Sequence, residues 1–243
     1  MKNVFHSEIL QQIRALAGKK ALDTFLDSYL GNTHPRYDIS APTLRKIARE
    51  WTRSHRDLDA AAFANVLTSL IHGESSTEKW IAGMLLDFST REQREFDPRL
   101  FDEWLDHLVG WAEVDAVCSN SYTKTHIPAR FKEWKKLLTK FSKDKNVHKR
   151  RAALVALCAP VRYSDDDDLA DLAFENIDRL RSEKEVLITK AISWLLRSMI
   201  KLHRPRVVEY INANREKLPA IAVRETLVKL KTGTKTKRKK TAG

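Results

Sequence analysis

Signals for helix starts recur at short intervals along the whole chain, and they constrain its fold more than any other feature. Proline fits the first helical position, where its missing backbone N–H costs nothing. The prolines expected there are Pro42, Pro98, Pro128 and Pro219. Ser75 with Glu78, and Ser182 with Glu185, have the spacing of a capping box. These signals predict many short helices.

Apolar residues repeat with helical periodicity between these signals. We predict helices near residues 5–17, 19–30, 43–54, 58–72, 76–89, 98–109, 112–121, 128–142, 147–158, 166–179, 183–201, 204–213 and 219–230. Only 7 Gly and 7 Pro occur in 243 residues, too few for the many tight turns of an all-β fold. The predicted fold class is therefore all-α.

The predicted helices alternate in pairs of roughly 35–40 residues, the period of HEAT-type repeats. Stacked helix pairs form a solenoid with a long concave surface, and a globular helical bundle is the alternative. We expect one helical-repeat domain over residues 1–230. Residues 231–243 are predicted to form a basic, flexible C-terminal tail, with Ala242 as their single apolar residue.

The formal charge is +12, which favours a polyanionic partner such as nucleic acid or a membrane surface. Seven basic residues lie between Lys229 and Lys240, and removing them still leaves +5 for the rest of the chain. No apolar run approaches the roughly 18 residues of a membrane span, which argues against a membrane-spanning segment. Cys118 and Cys158 have neither the number nor the spacing of a zinc site or a disulfide scaffold, and we expect both to be reduced core residues. These features predict an intracellular protein.

Basic residues form stripes on three helical segments. Arg45, Lys46, Arg49 and Arg53 share one face of the helix over 43–54. A second group of nine basic residues lies between Lys132 and Arg151, and a third stripe contains Lys190, Arg197 and Lys201. A single stripe is usually a solvated surface. Three stripes on one basic protein favour a surface that contacts successive phosphates of a nucleic-acid backbone.

Three residues stand where their side-chain chemistry is unexpected. Arg151 falls inside the apolar stripe of its helix, so its guanidinium needs an acceptor or must extend outward along its stem. Asp115 lies one turn after Trp111, among apolar and aromatic positions, which is typical of a functional carboxylate or of a structural ion pair. Trp194 borders the basic stripe on its helix, where it could stack on a nucleotide or pack in the core.

Five segments of the chain resemble the AlkD-like DNA alkylation repair glycosylases, a family built from HEAT-like helical repeats. They are APTLRKIARE at 41–50, WAEVD at 111–115, KRRAALVAL at 149–157, KAISWLLR at 190–197 and VRETLVKL at 223–230. The resemblance extends over most of residues 35–230. It implies an all-α, HEAT-like solenoid with a basic concave DNA-binding face.

The resemblance also implies a site and a reaction. Matching the motifs places the catalytic cleft at Trp111, Asp115 and Trp194, with Arg151 on a phosphate beside the lesion. The basic stripes, and not the resemblance, give the further expected DNA contacts at Arg45, Arg49, Lys190 and Arg197. The implied reaction is hydrolysis of the N-glycosidic bond of cationic N3- and N7-alkylpurines in duplex DNA, the first step of base excision repair. No metal or organic cofactor is implied for it.

Two other functions fit the same sequence features. One is a non-catalytic HEAT-repeat protein that binds DNA or recognises damage, and the other is a helical-repeat scaffold for protein partners. The glycosylase hypothesis carries further expectations. The protein is expected to be a monomer that binds duplex DNA containing alkylated purines. It is expected in the bacterial cytoplasm, and at the nucleoid when it is bound to DNA.

Overall fold

The computed structural model describes residues 3–18 and 31–235. Within these ranges it contains α-helices, one short 3₁₀ turn over Glu92–Arg94 and no β-strand. The helices are α1 Val4–Leu16, α2 Ala41–Ser54, α3 Ala60–Ile71, α4 Ser76–Phe88, α5 Leu100–Trp104, α6 Gly110–Cys118, α7 Ser121–Ala129, α8 Phe131–Phe141, α9 Val147–Val155, α10 Pro160–Tyr163, α11 Asp167–Leu180, α12 Val186–Met199, α13 Arg204–Asn214 and α14 Ala220–Thr232. The predicted all-α class is confirmed. The helix predicted over 19–30 lies outside the described residues.

Several helix starts follow the predicted chemistry. The Ser75 hydroxyl accepts from the Glu78 N–H at 3.2 Å, and the Glu78 carboxylate accepts from the Ser75 N–H at 2.8 Å. This reciprocal pair is the predicted capping box at the start of α4. Ser182 does not cap α12 as predicted. Glu185 caps it instead, because its carboxylate accepts from the Leu187 N–H at 3.3 Å.

The helix predicted over 128–142 is observed as α8, over Phe131–Phe141, and the residues before it form α7, which was not predicted. Asn120 starts α7 early, because its side chain accepts from the Thr123 N–H at 3.2 Å. Pro128 therefore lies in the last turn of α7 and not at a helix start. The helix closes just after it, where the Arg130 N–H donates to the His126 carbonyl at 3.0 Å.

The helix predicted over 98–109 is shorter than expected. After α5 the chain tightens into successive turns, with the Asp106 N–H bonded to the Glu103 carbonyl and the His107 N–H to the Trp104 carbonyl, both at 3.0 Å. Such bonds over three residues are typical of a helix end. Gly110 then takes a φ of 76°, a left-handed conformation that glycine adopts without strain.

The chain divides into two compact units, which we call unit 1 (residues 1–137) and unit 2 (residues 138–243). In unit 1, α4 packs against α2, α3, α6 and α7. A Cβ at Gly83 of α4 would lie 2.2 Å from the Ala116 carbonyl oxygen of α6, so these two helix backbones are in direct contact. Trp51, Phe63 and Trp104 are fully or almost fully buried in the core of this unit.

In unit 2, α12 is the central element and packs against α9, α14 and three other helices. Four residues on its buried face have no solvent exposure, and they are Ile188, Ile192, Leu195 and Met199. Cys118 in unit 1 and Cys158 in unit 2 are buried free thiols, also as predicted. None of the described helices is both long enough and apolar enough to cross a bilayer.

Candidate nucleic-acid interface

The first predicted basic stripe is an exposed face of α2. Its cationic residues, Arg45, Lys46, Arg49 and Arg53, are all exposed. The opposite side of α2 is buried through Leu44, Ile47 and Trp51. Because the apolar side is fixed in the core of unit 1, the register of the helix holds the cationic side toward solvent.

Two arginines of this face are positioned by the end of α4. The Arg45 guanidinium lies 3.3 Å from an Asp87 carboxylate oxygen. The Arg45 and Arg49 guanidinium carbons lie 5.9 and 5.2 Å from the centre of the Phe88 ring. An arginine over an aromatic face keeps its charge and loses part of its side-chain freedom. The two predicted DNA contacts on α2 are therefore accessible and partly ordered.

Trp111 and Asp115 lie one turn apart on α6, and both are half-buried. At about 100° per residue they share one face of the helix, and Glu113 points to the other side. Cys118, the next position on the Asp115 side of α6, is buried. Unit 1 therefore holds a carboxylate beside an indole at a partly accessible, largely apolar face.

Glu113 is a buried structural carboxylate that the sequence did not reveal. It has no solvent exposure and accepts from the Val109 N–H at 2.7 Å, from His34 Nδ1 at 2.9 Å and from the Ser76 hydroxyl. Buried charges are retained when hydrogen bonds of this kind compensate them. Glu113 thereby anchors the first turn of α6 and fixes the direction in which Trp111 and Asp115 project.

The neighbouring arginines of α9 have different roles in unit 2. The Arg151 side chain is buried and donates from Nη1 to the Leu187 carbonyl of α12 at 2.5 Å. The predicted requirement for an acceptor is thus met inside the protein, and the extended, outward conformation does not occur. The Arg150 Nε lies 2.8 Å from Glu183, an ion pair that links α9 to the segment before α12.

The third stripe is only partly exposed. Trp194 and Lys190 of α12 are half-buried, and Lys201 beyond its end is exposed. The Arg197 Nε lies 3.4 Å from a Glu225 carboxylate of α14, and both side chains are largely buried. Burial lowers the pKa of Arg197 below its usual value, although the nearby Glu225 charge opposes this change. Arg197 therefore forms a structural ion pair. Its contact with DNA stays a prediction.

One further cationic group of unit 2 was not predicted. Tyr163 at the end of α10 is a large exposed side chain. The Lys201 ammonium lies 4.6 Å from its ring centre, and the Arg162 guanidinium carbon lies 5.8 Å from it. An exposed aromatic ring between two cations is typical of a nucleic-acid contact. Only packing brings residues 163 and 201 together, so helical spacing could not indicate them.

Across the described residues, the helices and their exposed cationic faces define an all-α helical-repeat protein suited to a polyanionic partner. The family model described as DNA alkylation repair enzyme matches residues 9–230. The chain belongs to this family, and its membership supports a role in DNA alkylation repair and in DNA binding.

A solved structure gives an independent comparison of the fold. A predicted DNA alkylation repair enzyme from Enterococcus faecalis has a similar fold, with a TM-score of 0.65 and 17% sequence identity. The similarity covers 93% of this chain and 95% of that one. No match is found among curated proteins. The structural likeness confirms the predicted helical-repeat fold.

Proposed function

We propose that the protein is a DNA glycosylase that hydrolyses the N-glycosidic bond of cationic N3- and N7-alkylpurines in duplex DNA. The observation that supports this most directly is the face of α6, where Trp111 and Asp115 stand together and half-buried. The family's role in alkylation repair supplies the class of substrate. The face of α6 supplies groups suited to the chemistry.

The reaction needs stabilisation of positive charge more than it needs a strong acid. An alkylated purine already carries a positive charge, so it leaves as a neutral base with the electron pair of its bond to C1′. Positive charge then develops on the deoxyribose, and water attacks C1′ to give an abasic site. A fixed carboxylate stabilises this charge and orients the water. We assign both tasks to Asp115, which also accepts the proton that the water loses.

The indoles have a supporting role in this proposal. The electron-rich face of an indole attracts positive charge, and a tryptophan is the most effective aromatic residue in this respect. We assign Trp111, which shares the α6 face with Asp115, to contact with the polarised C–H groups of the sugar. Trp194, which is half-buried on α12, is assigned the same kind of contact.

The arginines and lysines bind the phosphates of the duplex. Arg151 is assigned to a phosphate beside the lesion. Its guanidinium is buried and donates to the Leu187 carbonyl, so this contact requires the side chain to turn outward when DNA binds. Arg45, Arg49, Lys190 and Arg197 are the other assigned contacts, and binding through them depends on salt and not on base sequence.

The experiment that tests the proposal is Asp115→Asn on duplex DNA containing N7-methylguanine. Wild type is expected to release the methylated base, and the variant is expected to lose at least about a hundredfold in release rate, the typical value of one electrostatic catalytic group. Both proteins are expected to bind the duplex, as a fluorescence-anisotropy titration will show. Asp106→Asn is the matched control, because Asp106 is exposed and lies in the turns before α6.

Two outcomes would count against the proposal in different ways. Binding without release by wild type, across a panel of cationic purine lesions, would leave a DNA-binding or damage-recognising protein. Full release by Asp115→Asn would support the glycosylase activity but would show that Asp115 has no role in the reaction. Chromatography of the freed base measures release, and the anisotropy titration separates a folded protein that binds without release from an unfolded one.

A further inference from the structure

Unit 1 contains a cluster of metal-ligand side chains among residues that the proposed reaction does not use. His72 directly follows α3, Glu103 lies in α5, and His107 lies in the turns after α5. All three side chains are exposed. His72 is separated from the other two by about thirty residues, so packing and not sequence proximity brings the cluster together.

The three groups converge on a small volume. One ligand atom from each residue lies within 4.8 Å of the other two. His107 Nε2 is 3.7 Å from Glu103 Oε1, and His72 Nε2 contacts the same oxygen. The two imidazole rings lie 3.9 Å apart, centre to centre. Tetrahedral zinc with bonds of about 2.0–2.1 Å places its ligand atoms about 3.3 Å apart, so small rotations of these exposed side chains suffice.

The backbone that carries the ligands is held by the core. Trp104, next to Glu103, is fully buried, and its indole N–H donates to the Thr68 hydroxyl at 2.8 Å. Thr68 lies one turn before His72, and its carbonyl accepts the His72 N–H at 2.9 Å. The bond between Trp104 and Thr68 thus joins the two segments that supply the ligands. A site on such a support is preorganised for an ion.

We propose that His72, Glu103 and His107 form a binding site for a divalent first-row transition-metal ion, represented by Zn²⁺. Two imidazole nitrogens and one carboxylate oxygen are a ligand set that such ions prefer over Mg²⁺ or Ca²⁺, which favour oxygen. Glu103 and His107 are four residues apart, and the turns after α5 bring their side chains to 3.7 Å of each other. Water completes the coordination, because the cluster is open to solvent. The site is separate from the proposed excision chemistry, which uses no metal.

The test is a titration of the full chain, without an affinity tag, with Co²⁺ as a spectroscopic probe for zinc. Wild type is expected to bind one Co²⁺ per chain with visible ligand-field bands, and one equivalent of Zn²⁺ is expected to abolish them. His72→Gln, Glu103→Gln and His107→Gln are each expected to weaken binding by more than about tenfold. Circular dichroism checks that each variant is folded.

The matched control uses another histidine–carboxylate pair of unit 1. His55 Nε2 lies 3.5 Å from a Glu8 carboxylate oxygen, with only one histidine involved. Glu8→Gln is expected to bind Co²⁺ as wild type does. The proposal is overturned if wild type takes up no stoichiometric ion, or if the three ligand variants bind as tightly as wild type. Because metal binding is measured directly, its failure leaves the glycosylase assay unaffected, and the reverse also holds.

Discussion

Two carboxylates on α6 differ in role because they differ in register by two residues. Glu113 projects inward and is bound by His34, Ser76 and the Val109 N–H. Asp115 projects from the same face as Trp111 and is half-buried. A fully bound interior carboxylate can anchor a helix but cannot meet a nucleotide. The register of α6 therefore selects Asp115 as the candidate for chemistry, and Glu113 keeps that register in place.

His126 makes the stability of the protein sensitive to mild acid. Its ring is buried, and its Nδ1 accepts the Trp134 indole N–H at 3.0 Å, which requires a neutral ring. Burial, together with the Arg130 charge, lowers the pKa of His126 from 6.5 to about 4. The unfolded chain therefore binds more protons between these two values. The free energy of unfolding is expected to fall as pH drops from 6.5 toward 4, by about 2 kcal/mol from this residue.

Urea unfolding at a series of pH values measures this effect. His126→Gln, which keeps an acceptor for Trp134 but cannot be protonated, is expected to have a flatter profile in the same window. Equal slopes for wild type and variant between pH 6.5 and 4 would mean that His126 does not carry the effect.

The unusual residues were identifiable from helical spacing alone, but their partners were not. An arginine inside an apolar stripe indicated that Arg151 needs an acceptor, and the acceptor is the Leu187 carbonyl of another helix. Spacing also placed Arg197 on a basic stripe, but its partner Glu225 comes from α14. The convergence of His72 on Glu103 and His107 has the same cause. Such pairs depend on which helices pack together, which local periodicity does not determine.

At the scale of elements, the contact between α4 and α6 sets the position of the proposed catalytic residues. Gly83 allows the two backbones to touch, because any side chain there would meet the Ala116 carbonyl. Alanine in place of glycine normally stabilises a helix by about 1 kcal/mol. Here the added Cβ would lie 2.2 Å from a backbone oxygen, so steric conflict outweighs propensity.

Gly83→Ala is therefore expected to lower the free energy of unfolding by about 1–3 kcal/mol, the usual cost of overpacking. It is also expected to slow base release, since the displaced helix carries Trp111 and Asp115. Urea unfolding and the release assay measure the two effects. Adding Ala116→Gly should not restore either one, because the conflict involves the backbone of residue 116. A variant as stable as wild type would show that α6 moves away without cost.

Helix boundaries were predictable where a side chain caps the backbone and unpredictable where tertiary packing ends a helix. The Ser75–Glu78 capping box is local, and α4 begins where it predicts. Pro128 also looked like a start signal, but Asn120 begins α7 earlier and the proline occupies its last turn. A proline at a helix start and one in a last turn have similar sequence surroundings. For this reason α7 was not predicted, and the helix over 128–142 was predicted to begin too early.

At the scale of the whole molecule, net charge governs the affinity for DNA. The formal charge of +12 includes four basic residues beyond Lys235, namely Lys237, Arg238, Lys239 and Lys240. Each cation that neutralises a phosphate releases counterions, so affinity falls as salt rises. Basic residues in a terminal segment add to this dependence without reading the lesion. Residues 1–235 keep a positive formal charge when that segment is removed.

Truncation after Lys235 separates the contribution of the terminal segment to DNA binding from the contribution of the rest of the chain. It keeps Gly233, whose left-handed conformation ends α14, and lowers the formal charge to +8. Between about 50 and 200 mM salt the shortened chain is expected to bind DNA more weakly and with a smaller salt slope, by up to about 0.9 for each phosphate that the chain no longer neutralises. Its release of N7-methylguanine at saturating protein is expected to match wild type, because no assigned catalytic group is removed. If DNA binding by the truncated chain no longer depends on salt, the last eight residues alone bind the phosphates. The cationic faces of α2 and α12 would then not have their proposed role.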